Sequence, residues 1–319
     1  MAAPTMFASP LMPGSYPPEF LVEGMREWFE LEAKSPANYV GDIFNVRPSK
    51  KASEYEWSVV GFGLHRARLA GTAPTPTERG KAYKSTFTHV TYSLETSTEQ
   101  EAIDDDQYGW ITLQRNSQGL AKSAKRTKSH HAVAALEGGF TTAWNSTEAA
   151  YLFSDQHPLA PGAVTPPSPH TAGYGSNLVS SALSISAVQE GLEKLKTCPD
   201  ARGEPMDLTE DGVTLFVPTV LGFLAHQIVE SPGLYNSPNL SINTLKGKLT
   251  IVEIPLLASS TQWYLRAGLS MTKGFWFERE QPNTEQEYSA RLRTYTQVSN
   301  MRYSLGFSDW RGWIGGKPA

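Results

Sequence analysis

A mixed α+β fold is predicted for this 319-residue chain, and three stretches, taken in order, predict it. From Glu54 to Leu94, apolar residues alternate with polar ones on either side of a segment that has almost nothing able to build a core. Residues 104–137 have the charge pattern of one long helix. From Ser186 onward, short strands and amphipathic helices alternate, and the chain closes on strands.

Composition bounds the rest. With 39% hydrophobic and 19% charged residues the chain can bury a substantial core, and its length exceeds that of one average domain. The net charge of −4 excludes wholesale basicity, so a nucleic-acid partner would have to be met by a local patch. A single cysteine, Cys198, cannot close an internal disulfide and fits a reducing compartment. Residues 1–18 lack the basic start and apolar run of a signal peptide. No stretch of eighteen uncharged apolar residues predicts a membrane span, so no membrane partner is expected. The sequon Asn145-Ser146-Thr147 has no secretory context and carries no weight.

Each element has its own signal. Residues 1–18 hold five prolines among small residues and read as an extended arm. An amphipathic helix follows, with Phe20, Leu21, Met25, Trp28, Phe29 and Leu31 on its apolar side, and Ser35-Pro36 ends it. Tyr55, Trp57 and Val59 alternate on the way out of a long hairpin, and Val90, Tyr92 and Leu94 on the way back. Its tip is Ala70 to Gly80; an isolated hairpin is marginal in water, so this one needs something outside its own domain to lie on. In 104–137, Asp104, Asp105 and Asp106 suit the positive end of a helix dipole, and Lys125, Arg126, Lys128, His130 and His131 crowd toward the other end. Gly138-Gly139 stops the helix, which would span about 45 Å at about 1.5 Å per residue. The prolines of 154–177 mark a long loop. Ser186 and Gln189 form a capping box for a helix lined by Val188, Leu192 and Leu195. Val213–Val217 is a strand, and Pro218 opens a helix whose apolar face is Val220, Leu221, Leu224, Ala225, Ile228 and Val229. Leu249–Ile254 and Trp263–Leu265 are strands, and from Phe275 strands continue, Met301, Tyr303, Leu305 and Phe307 alternating outward to a polar-aromatic end.

Catalytic patterns fail on spacing. Gly61-Phe62-Gly63 meets Arg66 where a dinucleotide fingerprint needs glycine, and Gly80-Lys81-Ala82 lacks both the earlier glycine and the Ser/Thr of a phosphate loop. Ser176 has no glycine at the spacing of a serine elbow. Adjacent helical residues point apart, so His130-His131 is a poor metal pair, and Asp104-Asp105-Asp106 reads as a helix start. Neither a cofactor nor a metal is expected, nor a catalytic site. Asp309-Trp310-Arg311 divides evenly between a structural corner and an intersubunit contact.

Three features in this order, a long hairpin, a long helix and a compact α/β unit closing on strands, resemble the major capsid proteins of tailed bacteriophages with the HK-97-like fold. Val213-Thr214-Leu215-Phe216-Val217-Pro218 and the helix after it are similar to that family's axial domain, as are Gly247-Lys248-Leu249-Thr250-Ile251-Val252 and Trp263-Tyr264-Leu265. Tyr55-Glu56-Trp57, Ile103-Asp104-Asp105-Asp106-Gln107-Tyr108-Gly109, Leu152-Phe153-Ser154-Asp155-Gln156-His157-Pro158, and the ending from Arg302-Tyr303-Ser304-Leu305-Gly306-Phe307 to Gly312 are similar to Mu-type major head subunits. The resemblance implies an N-terminal arm and short helix (1–50), an extended E-loop hairpin (51–95), a peripheral domain with a spine helix (96–153), a loop and axial domain (154–270), and C-terminal strands returning to the peripheral domain (271–319). It departs from the parent type in lacking a long charged helical N-terminal region, so any scaffold is expected to be a separate protein.

The implied function is a virion shell: hexamers and pentamers closing into an icosahedral cage around non-specifically packaged double-stranded DNA, assembled in the host cytoplasm with a portal and with scaffolding or cement proteins. An encapsulin-like nanocompartment is the alternative within the fold; a soluble α/β enzyme with a mobile lid at 66–84 is the alternative outside it. Three residue sets follow from charge. Arg66, Arg68, Arg79, Lys81 and Lys84 make the E-loop basic. Asp104, Asp105, Asp106, Glu278, Glu280, Glu285 and Glu287 form the acidic surface on which a neighbour's E-loop would dock. Arg115, Lys122, Lys125 and Arg126 recur at helical spacing and would face the packaged DNA.

Overall fold

The computed structural model describes residues 18–33, 39–60, 62, 65, 67–73, 80–105, 109–142, 148, 150–159, 174–233 and 242–318. Residues 1–17 of the expected arm, 74–79 of the hairpin tip and most of the 154–177 loop lie outside these residues, as do Arg66, Arg79 and Asp106. In chain order the elements are α1 (Pro18–Ala33), α2 (Val40–Ile43), β1 (Asn45–Pro48), β2 (Ser53–Val60), β3 (Gly80–Thr88), β4 (Val90–Glu99), α3 (Gln100–Asp105), α4 (Gly109–Glu137), β5 (His157–Pro158), β6 (Tyr174–Gly175), β7 (Leu178–Val179) and α5 (Ile185–Lys196). They continue as β8 (Cys198–Pro199), β9 (Pro205–Met206), β10 (Val213–Val217), α6 (Thr219–Glu230), β11 (Leu249–Glu253), β12 (Trp263–Ala267), β13 (Gly274–Ser289), β14 (Thr294–Phe307) and β15 (Trp313–Gly316). No helix among the described residues is long and apolar enough to cross a membrane.

The chain divides into two compact units, the first of residues 1–38, 89–129 and 278–303, the second of 39–88, 130–277 and 304–319. In the first, β14 pairs antiparallel with β4 from Thr294↔Glu99 to Tyr303↔Val90, and β4 is the outer strand of its sheet among the described residues. One parity of β14, with Tyr295, Gln297, Ser299, Met301 and Tyr303, is buried. The buried stripe of α4 (Leu113, Ser117, Leu120, Ala121, Ala124 and Lys128) recurs at three- and four-residue spacing. Met25, Ile103, Leu113 and Tyr295 form one apolar cluster, and Phe29, Leu120 and Ala121 another. Between them the Ser117 hydroxyl donates to Gln297 Oε1 at 2.7 Å, and Gln297 Nε2 donates to Thr284 at 2.9 Å. These bonds satisfy polar groups whose burial would otherwise be costly.

Val90–Glu99 is not the return limb of the hairpin: that limb is Gly80–Thr88, and Val90 and Leu94 stand exposed on β4. Asp104 and Asp105 do not begin the long helix. They end the separate helix α3, where Arg293, in the turn before β14, lies 3.8 Å from Asp104 and 3.4 Å from Glu101. Nor do Lys125, Arg126 and Lys128 sit in the last turn of α4, which runs on to Glu137 and carries no basic residue there; Lys125 and Lys128 instead meet the Glu32 carbonyl and Glu278. In α1, Met25 and Phe29 are buried but Leu31 is exposed.

The second unit is built on a five-stranded sheet in the order β11-β10-β12-β15-β7. β10 is parallel to β11 across the α6 crossover, whereas β10–β12 and β12–β15 are antiparallel and β15–β7 is parallel. The inner strands β12 and β15 are buried at every residue, as strands covered on both faces are. Glycine is required where β15 crosses β12: a Cβ on Gly316 would stand 2.0 Å from the Trp263 ring. Thus the polar-aromatic end of the sequence closes, from Trp313, as an inner strand of this sheet. Helix α5 is capped two residues earlier than expected, by Ser184, whose hydroxyl accepts from Ala187 N at 3.2 Å. Helix α6 follows Pro218 as its N-cap and buries Gly222, Ala225, Ile228 and Val229, but Val220, expected on that face, is exposed. Cys198 is buried, and burial pushes its thiol up to about 12, which leaves little thiolate for chemistry.

Candidate assembly surfaces

The hairpin of β2 and β3 has two unlike faces, and its register explains both. Glu54↔Phe87 and Glu56↔Ser85 share one face; Tyr55↔Thr86 and Trp57↔Lys84 share the other. On the first face Phe87 is fully buried, its ring 5.1 Å from that of Phe277 and 6.4 Å from that of Phe275. Arg47 lies over the Phe275 ring at 4.2 Å and donates to Glu56 at 3.1 Å. Where the register shifts between Trp57 and Val59, the Ser58 hydroxyl accepts from Tyr83 N at 3.0 Å and donates to Tyr83 O at 3.2 Å, replacing lost ladder bonds.

On the opposite face Tyr55 and Trp57 are 52% and 48% exposed. The Lys84 ammonium lies over both rings, 4.1 Å from the centre of Tyr55 and 5.6 Å from that of Trp57. Farther out, Phe62 and Leu69 are exposed too. The alternation in β2 was therefore legible, but its apolar parity looks outward, onto whatever the hairpin meets. Of the basic residues expected here, Arg68 is exposed and Lys84 sits on the aromatic pair. Lys81 pairs through its backbone with Val59, and its side chain, like Arg66 and Arg79, lies outside the described residues.

The acidic set does not stay together. Glu278, expected in this set, is buried: its carboxylate is ion-paired with Lys128 of α4, the two side chains being 10% and 7% exposed, so it is not available on a surface. Asp104 is engaged by Arg293, and Asp105 is exposed. Glu280, Glu285 and Glu287 are exposed along β13. The basic set also loses a member. Lys125 turns inward, donating to the Glu32 carbonyl of α1, while Arg115, Lys122 and Arg126 remain exposed along α4.

Buried polar groups in the second unit hold the frame. Arg266 donates to the Asp42 carbonyl and to Thr214 and lies over Phe216, and burial pulls its guanidinium down. His157 lies between Glu148 (2.6 Å) and Asn177 (3.1 Å) and stacks on Trp310 at 4.5 Å. The sequence offered no periodicity that would have found this cluster. Arg311 Nη1 donates to both carboxylate oxygens of Asp309 at 3.1 and 3.2 Å, and its Nε donates to Pro199 O at 2.7 Å, which makes Asp309-Trp310-Arg311 a structural corner.

The half-exposed aromatic face of Tyr55 and Trp57 is the kind of surface that marks an interaction site. Solved structures agree on the fold. The chain is similar to a solved structure from Mycobacterium phage Patience (10% identity, 94% of this chain and 87% of that one covered, TM-score 0.55). It is also similar to the mature capsid of bacteriophage PhiM1 (12% identity, 89% and 88% covered, TM-score 0.56) and to the capsid of cyanophage P-SCSP1u (12% identity, 89% and 90% covered, TM-score 0.52). No curated protein sequence matches. The fold is the HK-97-like fold of phage capsids. Residues 82–315 match the phage capsid protein family, and the chain belongs to it. It is a major capsid protein, a structural component of the virion that assembles with copies of itself to form the phage shell.

Proposed function

We propose that copies of this subunit close as hexamers and pentamers into an icosahedral cage around double-stranded DNA, in the host cytoplasm, with the β2–β3 hairpin docking on a neighbouring copy. The observation that carries the docking is the outward face of Tyr55, Trp57 and Lys84 on a hairpin whose other face is buried by Phe87. An exposed apolar face of this kind marks an interaction site. The acceptor is the exposed acidic row of β13, Glu280, Glu285 and Glu287, now without Glu278. The four segments that resemble Mu-type head subunits support that subgroup as the narrower kinship.

Charge reversal tests the docking. Arg68→Glu with Lys84→Glu is expected to abolish particles in negative stain while the unassembled subunit keeps its melting temperature, because each exposed pair is worth at most about 1 kcal/mol within one chain. Reversing Glu285 and Glu287 to lysine in the same chain should restore particles. If the basic reversal assembles at wild-type concentration, charge has no part in the docking. Nucleic acid in particles purified from infected or expressing cells separates the phage shell from a nanocompartment enclosing protein cargo.

The DNA contact rests on Arg115, Lys122 and Arg126, which stand exposed at helical spacing on α4. Changing all three to glutamine is expected to leave shell assembly intact and to release packaged DNA at lower temperature and lower salt, since phosphate contacts weaken steeply with salt. An unchanged release temperature would assign these side chains to a solvated face.

A further inference from the structure

The five-stranded sheet of the second unit ends in two unlike surfaces. At its β11 edge, α6 packs through Gly222, Ala225, Ile228 and Val229, yet Val220 and Phe223 on its other side are 72% and 86% exposed. Acid rims this knob. Glu253 of β11 lies so close to the helix that a Cβ on Gly222 would stand 2.6 Å from its carboxylate, and His226 sits between Glu253 (3.4 Å) and Glu230 (3.0 Å). Beyond the β7 edge there is an open pocket of 490 Å³, lined by Phe140, Tyr151, Phe153 and Ser180, with Lys317 and Asp155 both on its lining. Its floor is aromatic, with the Phe140 and Phe153 rings 4.7 Å apart, and the Lys317 ammonium lies 5.7 Å from the Phe140 ring.

We infer that Phe223, with Val220, is the knob of a head-to-tail contact between copies in the shell, and that the aromatic pocket at the β7 edge of the next copy is its socket. The inference rests on the self-assembly of the subunit and names one of its contacts. A ring of copies needs two different, complementary surfaces on each subunit, because a heterologous contact closes where a self-complementary one stops at two. The two outermost strands of this sheet present such a pair: an apolar projection with an acidic rim, and an apolar recess whose one cation, Lys317, stands over the Phe140 ring, with Asp155 elsewhere on the lining. A cavity of about 150 Å³ accepts a benzene ring, so the pocket holds a phenyl group with room to seat it. Burying a phenylalanine ring removes apolar area on the scale that dominates interface energetics, and Lys317 then faces Glu253 and Glu230.

Two experiments test the contact. Phe223→Ser should raise the concentration at which half the subunits are assembled by about tenfold or more, with the melting curve of the unassembled subunit unchanged, because the ring touches little in its own chain. Assembly of Phe223→Ser at wild-type concentration overturns the inference, and so does normal assembly of Ser180→Trp, which fills the pocket. In the second, one chain carries both Phe223→Cys and Ser180→Cys, and assembled particles are oxidised. The expected result is a ladder of covalent multimers on a denaturing gel, absent from either single variant; buried Cys198 stays out of it. Particles that form normally but yield only monomer exclude the knob and socket while leaving shell formation standing. If Ser180→Trp blocks assembly and Phe223→Ser does not, the pocket takes another segment and the assignment of Phe223 falls.

Discussion

Lys128→Met is expected to destabilise the unit of α1, α4 and β14 by about 3–5 kcal/mol, the cost of leaving one member of a buried ion pair alone. Lys128 reaches Glu278 from the buried stripe of α4, and neither side chain is more than a tenth exposed. The surroundings add little water: Tyr303 lies 6.0 Å from the ammonium and stacks on Tyr92 at 4.8 Å, and burial, with Tyr92 and Glu278 nearby, raises the Tyr303 phenol. The penalty belongs to the orphaned carboxylate rather than to the pair. Lys128→Met combined with Glu278→Leu should therefore recover most of the loss, since an apolar replacement of both partners is often neutral. The denaturant midpoint of the unassembled subunit measures both. A single variant costing less than about 1 kcal/mol would place the pair with solvated surface bridges.

That pair also shows what a sequence can and cannot disclose. The long helix, its glycine stop and its cationic run were legible, because helical spacing and composition are local properties. Where the cations point was not. Lys125 and Lys128 are drawn inward by the Glu32 carbonyl and by Glu278, the latter a partner 150 residues away, while Arg115, Lys122 and Arg126 stay outside. The strand from Trp313 was hidden for the same reason: it is buried because it pairs with β12 and with β7, whose Leu178 and Val179 come far earlier in the chain. In β4 the alternation of Val90, Tyr92 and Leu94 was real, but pairing with β14 instead of the hairpin is a long-range choice that alternation cannot express. The order of hairpin, helix and α/β unit was enough to bring the capsid family into view. The two faces of the hairpin were legible only as residue types, because the exposure that distinguishes Trp57 from Phe87 exists only in the fold.

Those two residues give the second large effect, and they separate folding from assembly on a single hairpin. Phe87→Ala should cost about 3–5 kcal/mol, the range for truncating a buried aromatic ring, because Phe87 is what fastens β3 to Phe275 and Phe277. A two-stranded ribbon has little independent stability, so the hairpin should loosen from its anchor and become cleavable by protease at low concentration. Trp57→Ala should do the opposite. Its ring is half exposed on the outer face, with Lys84 above it, so the unassembled subunit should lose less than about 1 kcal/mol and stay as protease-resistant as the parent. Its defect should appear only when copies meet, as the loss of closed particles, since truncating a tryptophan anchor at an interface commonly costs about 2 kcal/mol or more per contact and a shell repeats the contact in every subunit. Thermal melting and limited proteolysis of the unassembled protein, set beside particle counts in negative stain, read both arms. If Trp57→Ala forms closed particles at wild-type concentration, the outer aromatic face does not dock. If Phe87→Ala leaves protease resistance unchanged, the hairpin is fastened elsewhere than at the Phe275–Phe277 cluster.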